Sequence, residues 1–325
     1  MKKDIEILNK IIDKYNLGNL KEEITRVMGG LCHITYRLDT SSGTFLVKFV
    51  GEGKDINYWK DKDNLERKLI KNNIPGIYAL EFNNSLVQEI DGILFYIYPW
   101  YEGKSIRGIN ASIDQTKLMA KYSAIINNIE MKSSKQEYRK LNIDWDKYIE
   151  YAFKNNEYIY NVLKDNKDMI IELTNEGNKR LEKMSKLLAL SHCDMDYKNV
   201  MWSKQDFKLI DMDSLGYANP YMLLFKNALV WSGYEEGNID YSRFKLFIDT
   251  YFQYSKLEKN FNLEDYYYST LIGIEWLEVN VKRALKLLGD NAQLVNLGLD
   301  QVKITIMQIK NYYDHKNEII NIYNN

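Results

Sequence analysis

The stretch Ser191-His192-Cys193-Asp194-Met195-Asp196-Tyr197-Lys198-Asn199-Val200, followed by Leu209-Ile210-Asp211-Met212-Asp213, carries more chemistry than any other part of this sequence. Val200-Met201-Trp202 and Phe207 to Ile210 are short apolar runs about a polar turn, Ser203 to Asp206, and read as a small β-hairpin. Its ends then present Asp194, Asn199 and Asp211 on the same side. A carboxylate, an amide oxygen and a second carboxylate converging there supply hard oxygen ligands for Mg²⁺ and one spare base, the set that phosphoryl transfer needs. The bland reading is a pair of polar turns whose carboxylates cap backbone groups. Spacing, strand context and chain order together favour the chemical one.

Outward from the hairpin, the pattern after Pro99 is helical. Asp114 to Ile129, Trp145 to Leu163 and Leu173 to Leu190 precede it, and Pro220 to Ser232, Tyr241 to Tyr254, Leu263 to Leu288 and Leu294 to Tyr323 follow, all with apolar residues at helical spacing. The residues before Pro99 alternate differently. Ile5, Leu8, Ile12 and Tyr15 mark a short amphipathic helix, and Ile24 to Met28, Thr35 to Thr40 and Phe45 to Val50 read as an antiparallel meander. A charged helix from Lys54 to Asn73 stops before Pro75, because proline disfavours the α conformation of its predecessor. Leu86 to Ile90 and Ile93 to Tyr98 flank Asp91-Gly92, a two-residue hairpin signal. The expected fold is α+β and bilobal, with a sheet lobe over residues 1–98 and a mainly helical lobe over 99–325.

Length and charge limit what such a chain does. At 325 residues it is long enough for two lobes. With 44 basic and 45 acidic residues it lacks the basic surface that wraps nucleic acid. Cys32 and Cys193 are too few and too far apart for a disulfide scaffold, which suits a reducing compartment. Asp4, Glu6, Asn9 and Lys10 interrupt the first apolar residues, so no signal-peptide core forms, and no apolar run reaches membrane-spanning length. A cytoplasmic location with no membrane partner follows.

The spacing His-x-Asp-x-x-x-x-Asn at His192, Asp194 and Asn199, with Ile-Asp-x-Asp at Ile210 to Asp213, resembles the aminoglycoside phosphotransferase family and its relatives, the choline and ethanolamine kinases. Gly216-Tyr217-Ala218-Asn219-Pro220 and Trp231-Ser232-Gly233-Tyr234 look like bacterial members of it. The resemblance implies a protein-kinase-like fold and a role for each residue: Asp194 orients and deprotonates an acceptor hydroxyl, Asn199 and Asp211 hold Mg²⁺, His192 braces the loop, and Asp213 assists metal or substrate. One departure is Cys193, where the superfamily commonly has Gly or Arg. The first lobe then supplies the nucleotide grip. Gly29 and Gly30 look like the family's phosphate turn, where backbone N–H groups approach phosphate closely. Lys48 falls where the family lysine contacts phosphates, and Glu66 is its expected partner. Ile97 to Tyr101, with Tyr98 and Trp100, would form the hinge that reads the purine.

The implied activity is a kinase using Mg²⁺ and ATP or GTP, acting as a monomer or weak homodimer on a small-molecule acceptor. Between Asn227 and Asn280 there are nine acids against four bases, with Trp231, Tyr234 and Trp276 among them. Carboxylates and aromatic faces suit ammonium groups, so Glu235, Glu236, Glu275, Trp276 and Glu278 are candidate contacts for a cationic acceptor, an aminoglycoside or an amino alcohol. A solvated helix face explains the same charges. A kinase for a neutral sugar and a non-catalytic binding or spore-coat-type protein are the rival functions.

Overall fold

The computed structural model describes residues 2–27, 33–50, 53–134, 138–204 and 206–323. Helix α1 (Lys2–Lys14) is followed by strands β1 (Thr25–Val27), β2 (Ile34–Thr40) and β3 (Gly43–Val50), helix α2 (Ile56–Lys71), and strands β4 (Gln88–Ile90) and β5 (Ile93–Pro99). The five strands form one antiparallel sheet in the order β1-β2-β3-β5-β4. Asp91 and Gly92 both take positive φ, 50° and 76°, which lets the two-residue turn between β4 and β5 follow the twist of its strands.

Strand alternation divides the sheet into two working faces. Tyr36, Leu38, Val47, Phe95 and Ile97 turn one way and pack on Ile7, Leu8, Ile11 and Ile12 of α1. Leu46, Val50, Leu94, Tyr96 and Tyr98 turn the other way and pack with Trp59 of α2. Lys48 shares that second face, because it sits two residues from both Leu46 and Val50 and opposite Tyr96 in the register. The expected face of α1 is turned slightly: Ile7 and Ile11 are buried, and Ile5 is exposed.

Helix α2 is fastened along its length. Asp55 caps its N-terminus by accepting from the Tyr58 N–H at 3.0 Å, a device worth about 1 kcal/mol. Buried Asp63 accepts from the N–H groups of Leu86 and Val87 at 2.9 and 3.0 Å and from the Tyr96 hydroxyl at 2.9 Å. Lys62 donates to the carbonyl of Leu215.

The remaining elements are α3 (Ile113–Ile129), β6 (Met131–Ser133), α4 (Trp145–Asn155), α5 (Glu157–Asp165), α6 (Lys167–Leu181), β7 (Leu187–His192), β8 (Val200–Trp202), β9 (Phe207–Leu209), β10 (Leu215–Ala218), α7 (Pro220–Val230), α8 (Tyr241–Tyr254), α9 (Leu263–Ser269), α10 (Ile274–Ala284), α11 (Ala292–Asp314) and α12 (Lys316–Ile320). Four expected helix boundaries differ. The helix expected over 173–190 ends at Leu181, and Leu187 to His192 is a strand. A short apolar run reads equally as buried strand or helix, and its pairing with β6 decides between them. The helix expected over 145–163 breaks at Asn156, whose side chain caps α5 by accepting from the Ile159 N–H at 3.0 Å. The helix expected over 263–288 breaks where Leu271 and Gly273 take positive φ. The helix expected over 294–323 is interrupted at His315.

Packing groups the chain into two compact units, residues 1–106 with 192–194 and 198–216, and residues 107–191 with 195–197 and 217–325. This differs from a division at 98/99, and the β8–β9 hairpin shows why. Three-residue strands are marginal in isolation, and these are bonded to the chain of the first unit on both sides. Leu209 N–H donates to Pro75 O at 3.0 Å and Ile77 N–H to Leu209 O at 2.9 Å. Lys104 and Trp202 exchange backbone bonds of 2.9 and 3.0 Å, and the Tyr101 hydroxyl bonds Asp206. Among the described residues, no helix is long and apolar enough to cross a membrane.

Candidate active site

The site is built from the ends of β3, β7 and the β8–β9 hairpin, all in the first unit. Strand β7 ends at His192, which is buried. Its Nε2 lies 2.8 Å from Ile210 O, and its Nδ1 lies 3.1 Å from Ser214 Oγ. A carbonyl only accepts, so Nε2 carries the proton and Nδ1 accepts from the Ser214 hydroxyl. Burial lowers the ring's pKa against the opposing Ile210 bond and the nearby Asp194, Asp211 and Asp213, consistent with this neutral tautomer. His192 therefore bonds the residues on both sides of the 211–213 segment.

Between those two bonds, Asp211 adopts a left-handed backbone, φ 65° and ψ 50°, and opens a short 3₁₀ turn, Met212–Ser214. Aspartate tolerates this region better than most residues, and the turn places Asp211 and Asp213 about one lysine. Lys48 Nζ lies 2.5 Å from Asp211 Oδ1 and 2.5 Å from Asp213 Oδ1. Burial works against the Lys48 charge, but Asp213 and Asp211 outweigh it and its pKa is raised. For the acids, burial pushes Asp211 up, with the charge of Asp213 adding and that of Lys48 opposing. Burial also acts on Asp213, but the His33 hydrogen bond and the Lys48 charge overcome it and hold its carboxyl well below the usual range.

Asp194 stands at the end of the segment that follows β7, with its side chain 35% exposed. Asn199 closes the next turn, Tyr197–Asn199, and its side-chain amide donates to the Asp194 carbonyl at 2.8 Å and to Asp194 Oδ2 at 2.9 Å. Lys198 Nζ lies 3.5 Å from the same Oδ2. The Asn199 amide thus spends its N–H groups on Asp194, and its carbonyl oxygen is the part suited to a cation.

The expected Lys48–Glu66 pair is not formed. Lys48 is satisfied by Asp211 and Asp213, and Glu66 Oε1 instead accepts from the Ala79 N–H at 2.7 Å. Buried with that single backbone donor and near Asp63 and Asp213, Glu66 has its pKa pushed up to about 7, chiefly by burial. Of the hinge residues, Tyr98 is buried on the α2 face opposite Leu46, and the Trp100 N–H is spent on Thr44 O at 3.0 Å. The Trp100 ring lies under the Arg37 guanidinium, 4.5 Å from its centroid. Gly29 and Gly30 lie outside the described residues. Sequence reasoning missed His33, whose Nε2 lies 3.0 Å from Asp213 Oδ2. The available signal was its place in the chain, two residues before Thr35, the cross-strand neighbour of Lys48.

The donor set suits a nucleotide-borne Mg²⁺ better than a structural metal. Among the described residues no group of three or more His, Cys, Asp or Glu has metal-holding geometry. Two hard oxygen donors, a carboxylate at Asp211 and the amide oxygen of Asn199, with Asp213 adjacent, are what Mg²⁺ takes from protein when phosphates and water complete its shell. The buried Lys48 ammonium between two carboxylates shows that this position accommodates positive charge.

No protein-family model matches this sequence, and no curated protein matches it. Solved structures do. A spectinomycin phosphotransferase in complex with ADP and spectinomycin matches with a TM-score of 0.65 at 15% identity, over 93% of this chain and 96% of its own. An amicoumacin kinase in complex with AMP-PNP and Ca²⁺ matches at 0.63 and 13% identity, over 94% and 96%. A choline kinase from Streptococcus pneumoniae matches at 0.58 and 18%, over 94% and 98%. This chain has the protein-kinase-like fold of the aminoglycoside phosphotransferases and choline kinases. Within that kinase-like fold, the expected α+β architecture of a sheet followed by a helical part is present.

The residues expected to read the acceptor fall in two places in the second unit of the kinase-like fold. At the 3₁₀ turn Tyr234–Glu236, Glu235 accepts from the Tyr197 hydroxyl at 2.7 Å, while both carboxylate oxygens of Glu236 are enclosed without a hydrogen-bond partner among the described residues. On α10, Glu278 accepts from the Tyr148 hydroxyl at 2.8 Å and lies 2.7 Å from Lys282, and Glu275 lies 3.8 Å from Arg139. The Trp276 ring is faced by the Arg283 guanidinium, 5.0 Å from its centroid. Two expected aromatic faces are core instead. Trp231 is fully buried and donates to Met195 O at 2.9 Å, and Tyr234 is buried edge-on against Tyr312.

Proposed function

We propose that the protein transfers the γ-phosphoryl group of ATP or GTP to a hydroxyl of a small amine-bearing acceptor, an aminoglycoside or an amino alcohol. The observation that carries this reading is the assembly of Lys48, Asp211 and Asp213 about one buried charge, with Asp194 oriented by Asn199 in the same packed unit. Residues 1–98 supply most of the nucleotide grip in this reading, through Lys48, Gly29, Gly30 and the Tyr98–Trp100 segment, and the acceptor is read by residues beyond 99.

Asp194 aligns the acceptor hydroxyl and takes its proton as the oxygen bonds to the γ-phosphorus and the bond to the β–γ bridging oxygen breaks. Asn199 holds the Asp194 carboxylate in one orientation for that step. Lys48 exchanges carboxylate for phosphate oxygens and offsets their charge. His192 keeps the 211–213 turn in place. Mg²⁺, when held by Asn199 and Asp211 with Asp213 assisting, would neutralise the phosphate oxygens.

The finer reading, a cationic acceptor, is supported by Glu236. A carboxylate with both oxygens enclosed and unpartnered is costly, and an ammonium group is the partner that offsets the cost. The solved structures of like fold act on spectinomycin, choline and, in one case, aminopropanol by their names. The protein would act in the cytoplasm as a monomer or weak homodimer. A coupled assay of nucleoside-diphosphate release, with ATP and GTP in parallel across aminoglycosides, choline, ethanolamine and neutral sugars, tests the proposal with Asp194→Ala as blank. Stimulation by a cationic class that vanishes in the variant supports it, and no stimulation by any hydroxyl compound counts against it.

A further inference from the structure

We propose that His33 is a positioning residue for phosphoryl transfer: it fixes the carboxylate of Asp213 and, through it, the share of Lys48 that Asp211 must surrender. The inference rests on the kinase reading above and goes beyond it in assigning a residue that carries no expected role.

The register makes the contact possible. Thr35 and Lys48 face each other across β2 and β3. His33 lies one residue before β2 begins and two before Thr35, and both its side chain and that of Lys48 reach the 211–213 turn. Asp213 is then bonded on both oxygens, Oδ1 by Lys48 of β3 at 2.5 Å and Oδ2 by Nε2 of His33, just before β2, at 3.0 Å. A carboxylate with one donor turns about its Cβ–Cγ bond, whereas donors on both oxygens hold its plane. The imidazole is itself steadied, with its ring edge-on to Trp59 of α2 at 5.9 Å between centroids and an interplanar angle of 71°. A neutral ring with its proton on Nε2 is sufficient as donor, so the role does not require a charge on His33.

The consequence lies in how Lys48 divides itself. It bonds Asp211 and Asp213 at equal distance. With Asp213 held, Lys48 keeps a fixed second carboxylate and can leave Asp211 to a metal. With Asp213 free to turn, Lys48 leans on Asp211 and competes with the cation for it. Loss of the His33 donor therefore weakens the cation's hold on Asp211, raises the Mg²⁺ that nucleotide binding needs, and leaves acceptor recognition alone.

The test uses His33→Phe, which keeps a ring against Trp59 without the N–H, and His33→Gln, which restores an N–H donor of similar reach. ATP binding to the full chain is titrated calorimetrically at several Mg²⁺ concentrations, with GTP in parallel, and the acceptor KM is measured beside it. We expect His33→Phe to raise the Mg²⁺ needed for half-maximal nucleotide binding by about tenfold, as for one hydrogen bond to a charged group, and His33→Gln to return within about threefold of wild type. The acceptor KM stays unchanged in both. Should His33→Phe fail to fold, His33→Asn, too short to reach Asp213, replaces it. Wild-type Mg²⁺ dependence in the removal variant, or a glutamine variant no better than it, overturns the assignment while nucleotide binding by the wild type keeps the kinase reading. A wild-type protein that binds neither nucleotide overturns both.

Discussion

Asn199 bonds Asp194 twice with one side-chain nitrogen, at the backbone carbonyl (2.8 Å) and at the carboxylate Oδ2 (2.9 Å). The first bond closes the turn that joins them, and the second sets the direction of the carboxylate. One residue thus couples the loop's shape to the direction of the carboxylate, and the same amide has its oxygen left for a cation.

Asp194→Asn keeps the size of the side chain and removes the carboxylate that serves as base in the proposed transfer. Transfer should fall by about a thousandfold, while nucleotide affinity stays within about threefold of wild type. Single-turnover rates beside nucleotide titrations decide it, and a parallel loss of affinity would show that Asp194 belongs to the nucleotide site instead.

Lys48→Met leaves Asp213, 12% exposed, and Asp211, 39% exposed, without their shared cation. Removing one partner of a buried ion pair is strongly destabilising, and the exposure of Asp211 makes the loss here smaller. Because a divalent ion can take over the neutralisation, added Mg²⁺ should raise the thermal midpoint of the variant more than that of the wild type. Equal shifts in both would count against a metal at Asp211.

Glu66 makes stability depend on pH in an unusual direction. Its folded pKa is pushed to about 7 from an ordinary 4.5. Between those values the folded chain keeps a proton that the unfolded chain has released, so stability falls as pH rises from about 4.5 to about 7. The cost, about 3 kcal/mol, is complete above that window. Glu66→Gln retains an acceptor for the Ala79 N–H and removes the titration. Urea unfolding should show the variant gaining on the wild type from pH 5 to pH 8, and a constant difference would refute the shift.

His192→Phe preserves volume but leaves the Ile210 carbonyl and the Ser214 hydroxyl without their partner. Stranding two part-buried polar groups should cost about 1–3 kcal/mol. The urea midpoint reads the loss. A change below about 0.5 kcal/mol would mean the ring does not brace the turn.

Parts of this architecture were legible because they are local. The Asp91-Gly92 turn, the alternation along β3 and β5, and the hairpin between Trp202 and Phe207 each follow from residues within a few positions of one another. The strand at Leu187 to His192 was not legible, because an apolar run of that length becomes a strand only through its partner, β6. The acidic stretch from Asn227 to Asn280 was legible as charge alone. Burial of Trp231 and Tyr234 depends on helices far away in sequence, and so does the enclosure of Glu236.

By itself the sequence determined the kinds of groups available and their order: Lys48 on a strand, Asp194 and Asn199 five residues apart, Asp211 and Asp213 at a hairpin end. Those follow from short-range periodicity and turn chemistry, which are written in neighbouring residues. Only the tertiary structure decided who pairs with whom. Lys48 lies with Asp211 and Asp213 and not with Glu66, because α2 is fastened by Asp63 and Lys62 and its Glu66 is taken by the Ala79 N–H. His33 enters for the same reason. Ion pairs and hydrogen bonds act over about 3 Å, and distances of that size between residues 13 to 180 positions apart are set by packing rather than by spacing in the chain.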